Sequence, residues 1–382
     1  MTDAASPDTS ARLAAPRPPD RADLRLGTKD RFEIGLYGDL YFSEVYQAAR
    51  VAEGMPNVLQ ERGYDAQLDP FRAFMTSADA NIVNLETPLT RQAVSPFAGK
   101  KKFVHAGDPA RTLDAVAKVN VQGVLLGNNH MLDHGVVGLA DTLDALDAAG
   151  MKWTGAGRDT AEALVPLRIL GSRGTNAFTV AILSAWQYQP GSETKFAFYA
   201  TPTRPGVADL RWFTAAIARC RREHPAGLIV ASPHWSENYV WRQAWQDEAA
   251  AAFFAAGADI VIAHGAHVIQ EIGRIGRSWV VHSIGNFIFL SAGRHAKSGS
   301  PPYSLIARLI VGGGRRFNDY LLRLYPIVTN NELTDFHSRF VDDREFEDVM
   351  AILKARSPAL ANSNDIWTAL DEHGHYLEFR VR

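Results

Sequence analysis

The chain is poor in the features that most readily announce a function. It has a single cysteine, Cys220, among 382 residues. One thiol excludes an intrachain disulfide and a cysteine-based zinc site, so any chemistry must rest on oxygen and nitrogen ligands. Cys220 lies in a stretch of helical spacing, 209–223, and reads as a packing residue. Excess charge is also lacking: 40 basic and 42 acidic residues leave a formal net charge of −2. No global field then steers the protein onto nucleic acid or an anionic membrane. No run approaches the roughly 20 apolar residues of a spanning helix. The first thirty residues carry Asp, Pro and Arg and never build the roughly 7–15-residue apolar core of a signal peptide. The expectation is a cytoplasmic protein with no membrane anchor, whose residues 1–30 form a flexible arm.

What the chain does have is a core. Hydrophobic residues make up 46%, and the length suits one elaborated α/β domain. Apolar strands are expected at 31–39, 80–86, 121–126, 178–183, 227–231, 259–263 and 279–283. Helical spacing falls between them, at 42–63, 108–118, 138–149, 210–222 and 246–256. Paired strands follow at 305–311 and 320–328. The main domain should therefore run over 31–329, with 330–382 an extension made of a helix near 343–354 and a terminal strand. The Gly/Ser/Pro-rich stretch 291–302 reads as a mobile loop.

The informative pattern is positional. Asp39, Glu86, Asn129, His234 and His264 each stand just after an apolar strand. In open α/β sheets the strands' carboxyl ends share one edge, and sites form there. Asp39 after Gly38 serves equally well as a helix cap. Glu86 after a buried strand needs a partner. Gly127-Asn128-Asn129-His130 places an amide oxygen for a cation beside an imidazole able to move a proton, and Asp133 can orient that imidazole. His264 and His267, three apart beside a glycine, can face one point as metal ligands do. His234 between Pro233 and Trp235 reads as ligand or packed histidine with equal weight. Ligands without thiolate suit manganese, zinc, iron, calcium or magnesium, and several histidines argue against a pure magnesium or calcium cage.

Other residues carry weaker signals. Lys100-Lys101-Lys102 is a solvated loop or an anion clamp. Trp235, Tyr239, Trp241 and Trp245 are core packing or an aromatic wall for a bulky side chain. His295, on the expected loop, is more often a surface residue than a catalytic one.

These motifs, in order, resemble a known family. Gly38-Asp39, Asn84-Leu85-Glu86-Thr87-Pro88, Asn128-Asn129-His130 with Asp133 and Gly135, His234-Trp235 with Glu237, His264 to Gln270, and Ser283-Ile284-Gly285-Asn286-Phe287 look like the CapA family of poly-γ-glutamate capsule synthesis. The resemblance runs from about Phe32 to Phe289. It implies a calcineurin-like metallophosphatase fold, a four-layer α-β-β-α sandwich with one or two divalent ions at the strand ends. By resemblance, Asp39 holds the first metal position and Glu86 the place of the bridging carboxylate. Asn129, His234, His264 and His267 match metal ligands, and His130 matches the acid or polarising histidine. The chain departs from the phosphatase pattern at three points. Tyr41 stands where a histidine is usual, Glu86 replaces aspartate, and Gly265-Ala266 separate the terminal histidines by two residues instead of one. Phosphatase activity is accordingly not expected.

The resemblance extends to enzymes of ribosomal-peptide tailoring, including a lasso-peptide epimerase branch. Epimerisation suits such a site, because a cation at a carbonyl acidifies the neighbouring C–H and paired acid and base groups exchange the proton. The expected catalytic groups are His130, Asp133, Asp39 and His295. The expected substrate-facing residues are Lys101, Lys102, Trp235, Glu237 and Asn286. The expected partner is a peptide, such as a precursor peptide, and not a nucleic acid. Two further readings stand beside this one: an amide or γ-glutamyl hydrolase of the capsule type, and a non-catalytic metal-stabilised binding protein.

Overall fold

A computed structural model of the chain describes Thr9, Arg12 and residues 22–312, 319–361 and 365–381. Two sheets lie face to face, of seven and ten strands. In the larger sheet Phe32–Tyr41, Ala80–Leu85, Val121–Leu125 and Lys152–Thr154 run parallel. In the smaller sheet the parallel set is Asn176–Trp186, Leu228–His234, Ile260–Ile262 and Ser278–Val281.

Strand alternation builds the layers. Ile34, Leu36, Ile82 and Leu125 of one sheet pack against Ile169, Val180, Ile182, Val230 and Ile260 of the other. Their neighbours point outward. Tyr37, Val83 and Val124 meet the helices Val58–Leu68, Pro109–Ala117 and Gly135–Ala148. Ala181, Leu183, Ile229 and Ala231 meet Phe213–Glu223 and Ala244–Ala256. Both sheets are thus covered on both faces, as parallel strands with near-continuous apolar sequence require. The result is the four-layer α-β-β-α sandwich that the motifs implied.

The strands and helices expected from 31 to 328 are present, with boundaries shifted by a few residues. Four differences have physical causes. The helix expected over 42–63 is two helices, Glu44–Ala52 and Val58–Leu68, parted at Met55-Pro56, because proline has no amide hydrogen for the preceding turn. Within the expected arm, Asp23–Thr28 forms a strand parallel to Leu167–Arg173, and Arg168 fixes it through Asp23 at 2.6 Å. Residues 1–21 of that arm, apart from Thr9 and Arg12, lie outside the described residues. The C-terminal segment carries two strands, Ile366–Asp371 and Gly374–Arg380, which extend the larger sheet beside Tyr320–Val328. The stretch expected as a mobile loop contains a helical turn, His295–Ser298, with His295 buried. Among the described residues no helix is long and apolar enough to cross a membrane.

One close approach positions the site. The ladder between Phe32–Tyr41 and Ala80–Leu85 shifts register between Tyr37 and Asp39. There Gly38 presses against the crossing segment, and the Asp39 amide donates to the Gly285 carbonyl at 3.1 Å. A β-carbon on Gly38 would fall 2.0 Å from that carbonyl oxygen. Gly38→Ala is therefore expected to cost at least about 2 kcal/mol, because backbone must move on both strands. Urea denaturation checks this, and a wild-type midpoint would contradict the contact.

Candidate metal centre

The parallel strands of both sheets end at one rim, and their polar terminal residues meet there. Asn84 ties the two sheets together. Its amide nitrogen donates to Asp39 Oδ1 at 2.7 Å and lies 3.2 Å from His234 Nδ1. His234 and His264 form a parallel bridge between adjacent strand ends. Gly265, with φ +111°, lets this turn close, since a β-carbon there would sit 2.2 Å from the Trp235 carbonyl oxygen.

Around this seam stand two carboxylates and three imidazoles. His264 Nδ1 is 3.6 Å from Asp39 Oδ1, and His267 Nδ1 is 3.2 Å from Asp39 Oδ2. His234 Nε2 is 3.7 Å from Glu86 Oε1, and His267 Nδ1 is 3.8 Å from Glu86 Oε2. One ligand atom each from Asp39, Glu86 and His267 lies within 4.8 Å of the others. His264 is held from behind by Ser232 Oγ at 3.1 Å, and His267 by Asn286 Oδ1 at 2.8 Å. Such outer hydrogen bonds fix ring orientation in metal sites. His267 itself has φ +62°, a left-handed conformation that costs a non-glycine residue energy and is found where a side chain must be aimed.

The donor set fits a divalent cation. Asp39 Oδ2, both Glu86 oxygens, Asn129 Oδ1 and His264 Nδ1 are buried and accept or donate no hydrogen bond. Leaving that many polar atoms dry and unpaired is costly unless a cation joins them. Mixed carboxylate, amide and imidazole donors without thiolate are the chemistry of manganese, iron and zinc centres.

The electrostatics are those of an anionic cradle. Burial raises the Asp39 carboxyl, but close contact with His267 and the charges of the nearby histidines outweigh it and leave it at about 2. Glu86 is pushed well above the usual carboxylate range by burial and then by the Asp39 charge. Burial lowers His267, yet Glu86 and Asp39 outweigh it and raise it to about 9. Burial lowers His234 to about 3 and His264 to about 4.

A second polar group adjoins the first. His130 Nδ1 is 2.6 Å from Asp133 Oδ2, and His130 Nε2 is 3.9 Å from Glu86 Oε1. The His130 ring stacks on His105 at 3.4 Å, and His105 stacks on Tyr41 at 4.3 Å. Tyr41 thus supports a ring stack. Its hydroxyl is engaged with the Ala106 carbonyl and the Val45 amide. The rim opens into a cleft of about 620 Å³ whose lining includes Asn129, His234, Lys102, Glu237 and Arg294.

The structure brings together Asp39, Glu86, His130, Asp133, His234, His264 and His267, and it places Asn129 on the same cleft. It corrects four expectations. Trp235 is fully buried among Trp245 and Phe253, with its indole N–H donating to the His282 carbonyl, so it is core and not a substrate wall. Asn286 turns its oxygen to His267 and so orients a ligand. Lys101 directs its ammonium inward, to Asp133, and not to an incoming carboxylate. His295 is not a surface residue: its Nδ1 bonds the Pro301 carbonyl at 3.0 Å, and its ring meets Tyr239 edge-on at 5.1 Å. Three residues escaped the sequence reading: Asn84, Ser232 and His105. Alternation along the strand was the available signal for Asn84, which shares a face with Glu86. His105 gave none.

Comparison with known proteins agrees with this placement of the motifs. Residues 33–291 match the family described as bacterial capsule synthesis protein PGA_cap. A Bacillus anthracis protein named capsule biosynthesis protein CapA is 28% identical over 61% of this chain and 56% of its own length. The Bacillus subtilis PGA biosynthesis protein CapA is 27% identical over 65% of this chain and 64% of its own. The chain thus spans less than two thirds of either relative. Among solved structures, a Mycoplasma pneumoniae phosphatase aligns with a TM-score of 0.35 and 12% identity, over 83% of this chain and 96% of that one. That likeness is too loose to assign any residue. The family match covers most of the chain and contains every strand-end ligand described above, and the protein belongs to the bacterial capsule synthesis PGA_cap family.

Proposed function

We propose that this chain is a metal-dependent peptide isomerase that inverts one residue of a ribosomally made precursor peptide of the lasso class. One observation carries the reading: the compact group Asp39, Glu86 and His267, able to hold a cation, stands beside the imidazole of His130. His130 is tied to Asp133 through Nδ1 and turns Nε2 toward Glu86. A second imidazole, His295, reaches His267 of the cradle through Tyr239. Ring contacts run from His130 through His105, Phe289, His267 and Tyr239 to His295, so His130 and His295 stand at the two ends. Inversion needs that arrangement, because one group removes the α-hydrogen from one face and another returns a proton to the opposite face.

Burial, followed by the charge of Lys101, keeps His130 well below its ordinary value and hence neutral. Asp133 holds its tautomer. Asp39, Glu86, His234, His264, His267 and Asn129 would hold the cation. When bound, a divalent cation draws electron density from the substrate carbonyl and so acidifies the adjacent C–H. The cleft rim carries Lys100, Lys102, Lys195 and Arg294 against Glu237, which suits a peptide bearing carboxylates. The second reading, hydrolysis of a poly-γ-glutamate-type amide, draws on family membership and would use the same cradle to polarise the scissile carbonyl.

Three outcomes are expected. Incubation of a candidate precursor peptide with enzyme in D₂O adds one dalton without changing chain length. Shortened products favour the hydrolase instead, and tight binding without either change favours a non-catalytic partner. Glu86→Ala and His264→Ala weaken metal uptake by at least about a hundredfold, since even a lost outer hydrogen bond costs roughly 10–100-fold. Metal analysis alongside circular dichroism checks this, and full metal content in either variant removes the cradle from consideration.

The third outcome concerns pH. The folded-state value of His267 is raised to about 9 from 6.5. Its proton therefore stabilises the fold fully below the ordinary value, and this contribution fades as pH rises through about 9. A cation displaces that proton, so uptake strengthens with pH by up to about tenfold per unit between roughly pH 7 and 9. Chelator competition across that range measures the slope, and a flat response excludes competition at His267.

A further inference from the structure

We infer that Lys101 is a positioning residue: its ammonium locks the Asp133–His130 pair so that His130 presents the lone pair of Nε2 to the reacting centre. This rests on the acid–base role proposed for His130. Lys101 belongs to a basic run, Lys100-Lys101-Lys102, that looks like a single anion clamp, yet the three side chains part company. All three line the cleft, and Lys100 and Lys102 are exposed there. Lys101 turns inward and keeps 15% of its side-chain surface. Its Nζ donates to Asp133 Oδ1 and to the Asn129 carbonyl at 2.8 Å. Both acceptors belong to the loop that carries His130.

The hydrogen-bond arithmetic leaves one tautomer. Asp133 is fully buried, and Oδ1 is engaged by Lys101. Oδ2 accepts from the His105 amide at 2.6 Å and lies 2.6 Å from His130 Nδ1. With an ammonium on Oδ1 and an amide N–H on Oδ2, the carboxylate is held as an acceptor only. His130 Nδ1 must then carry the hydrogen, and Nε2 carries the lone pair. Nζ lies 3.4 Å from Nδ1. Both atoms bear hydrogen, so this contact is a packing contact and not a second bond. The parallel stack on His105 fixes the plane of the same ring. Tautomer and plane are thus set independently, one by charge and one by contact. Lys101 is also the cation nearest a buried acid whose loss of partner would cost several kcal/mol or force it to take up a proton. A protonated Asp133 could donate to Nδ1 and reverse the tautomer.

The test compares Lys101→Ala with Lys101→Arg. With the peptide substrate, the alanine variant is expected to lower kcat by about tenfold to a hundredfold and to leave KM within about twofold. The arginine variant, which keeps the charge, is expected to recover most of the loss. Metal content should match wild type in both. A raised KM with unchanged kcat would overturn the inference and make Lys101 a substrate clamp. A second readout needs no substrate: ¹⁵N spectra of imidazole-labelled protein report the His130 tautomer directly. Wild type and Lys101→Arg should show Nδ1–H, and Lys101→Ala should lose it. An unchanged His130 spectrum in the alanine variant would overturn the inference. If no peptide is isomerised, the spectra still decide the role of Lys101 separately from the proposed reaction.

Discussion

Asp39 and Glu86 are held out of water within one small cradle, and neither can leave it. Both are fully buried, and three of their four carboxylate oxygens find no hydrogen-bond partner. Like charges so placed cannot both ionise without a counter-charge. Their environments split them accordingly: the histidines favour the charged form of Asp39, whereas burial and Asp39 itself disfavour that of Glu86. Much of the surrounding structure serves this pair. Asn84 donates to Asp39, His267 contacts both acids, and Asn286 and Ser232 hold the imidazoles that face them. A cation shared between the two acids, or the proton held on His267, supplies that counter-charge.

The fold supplies that convergence at modest local cost. Two parallel sets of strands, one per sheet, end at the same rim, and the side chains that follow each strand have nowhere else to point. Where the approach is too tight for a side chain the sequence has glycine, at Gly38 and Gly265. Where a side chain must be aimed, the backbone takes a strained conformation, at His267. Strain at such a point is maintained because packing on both sides over-determines it.

Family membership and chemistry are separate matters here. The family match over residues 33–291 places the chain in the capsule synthesis family. The reaction depends on details that a fold does not fix. Tyr41 joins a ring stack, and that stack ends on His130.

The sequence by itself determined the layered α/β class and the strands that build the rim, because buried parallel strands leave continuous apolar runs. It also picked out Asp39, Glu86, Asn129, His130, His234, His264 and His267, because a polar residue directly after such a run has few structural uses. Tertiary structure alone decided the roles of residues whose surroundings come from distant segments. Trp235 could be wall or core until Trp245 and Phe253 were seen against it. His295 looked superficial until the turn His295–Ser298 buried it against Tyr239. Lys101 was one of three equal lysines until its ammonium was found on Asp133. Periodicity reports which face of its own element a residue occupies, whereas a side chain's partners are set by whichever strand or loop packs opposite, and that is long-range geometry.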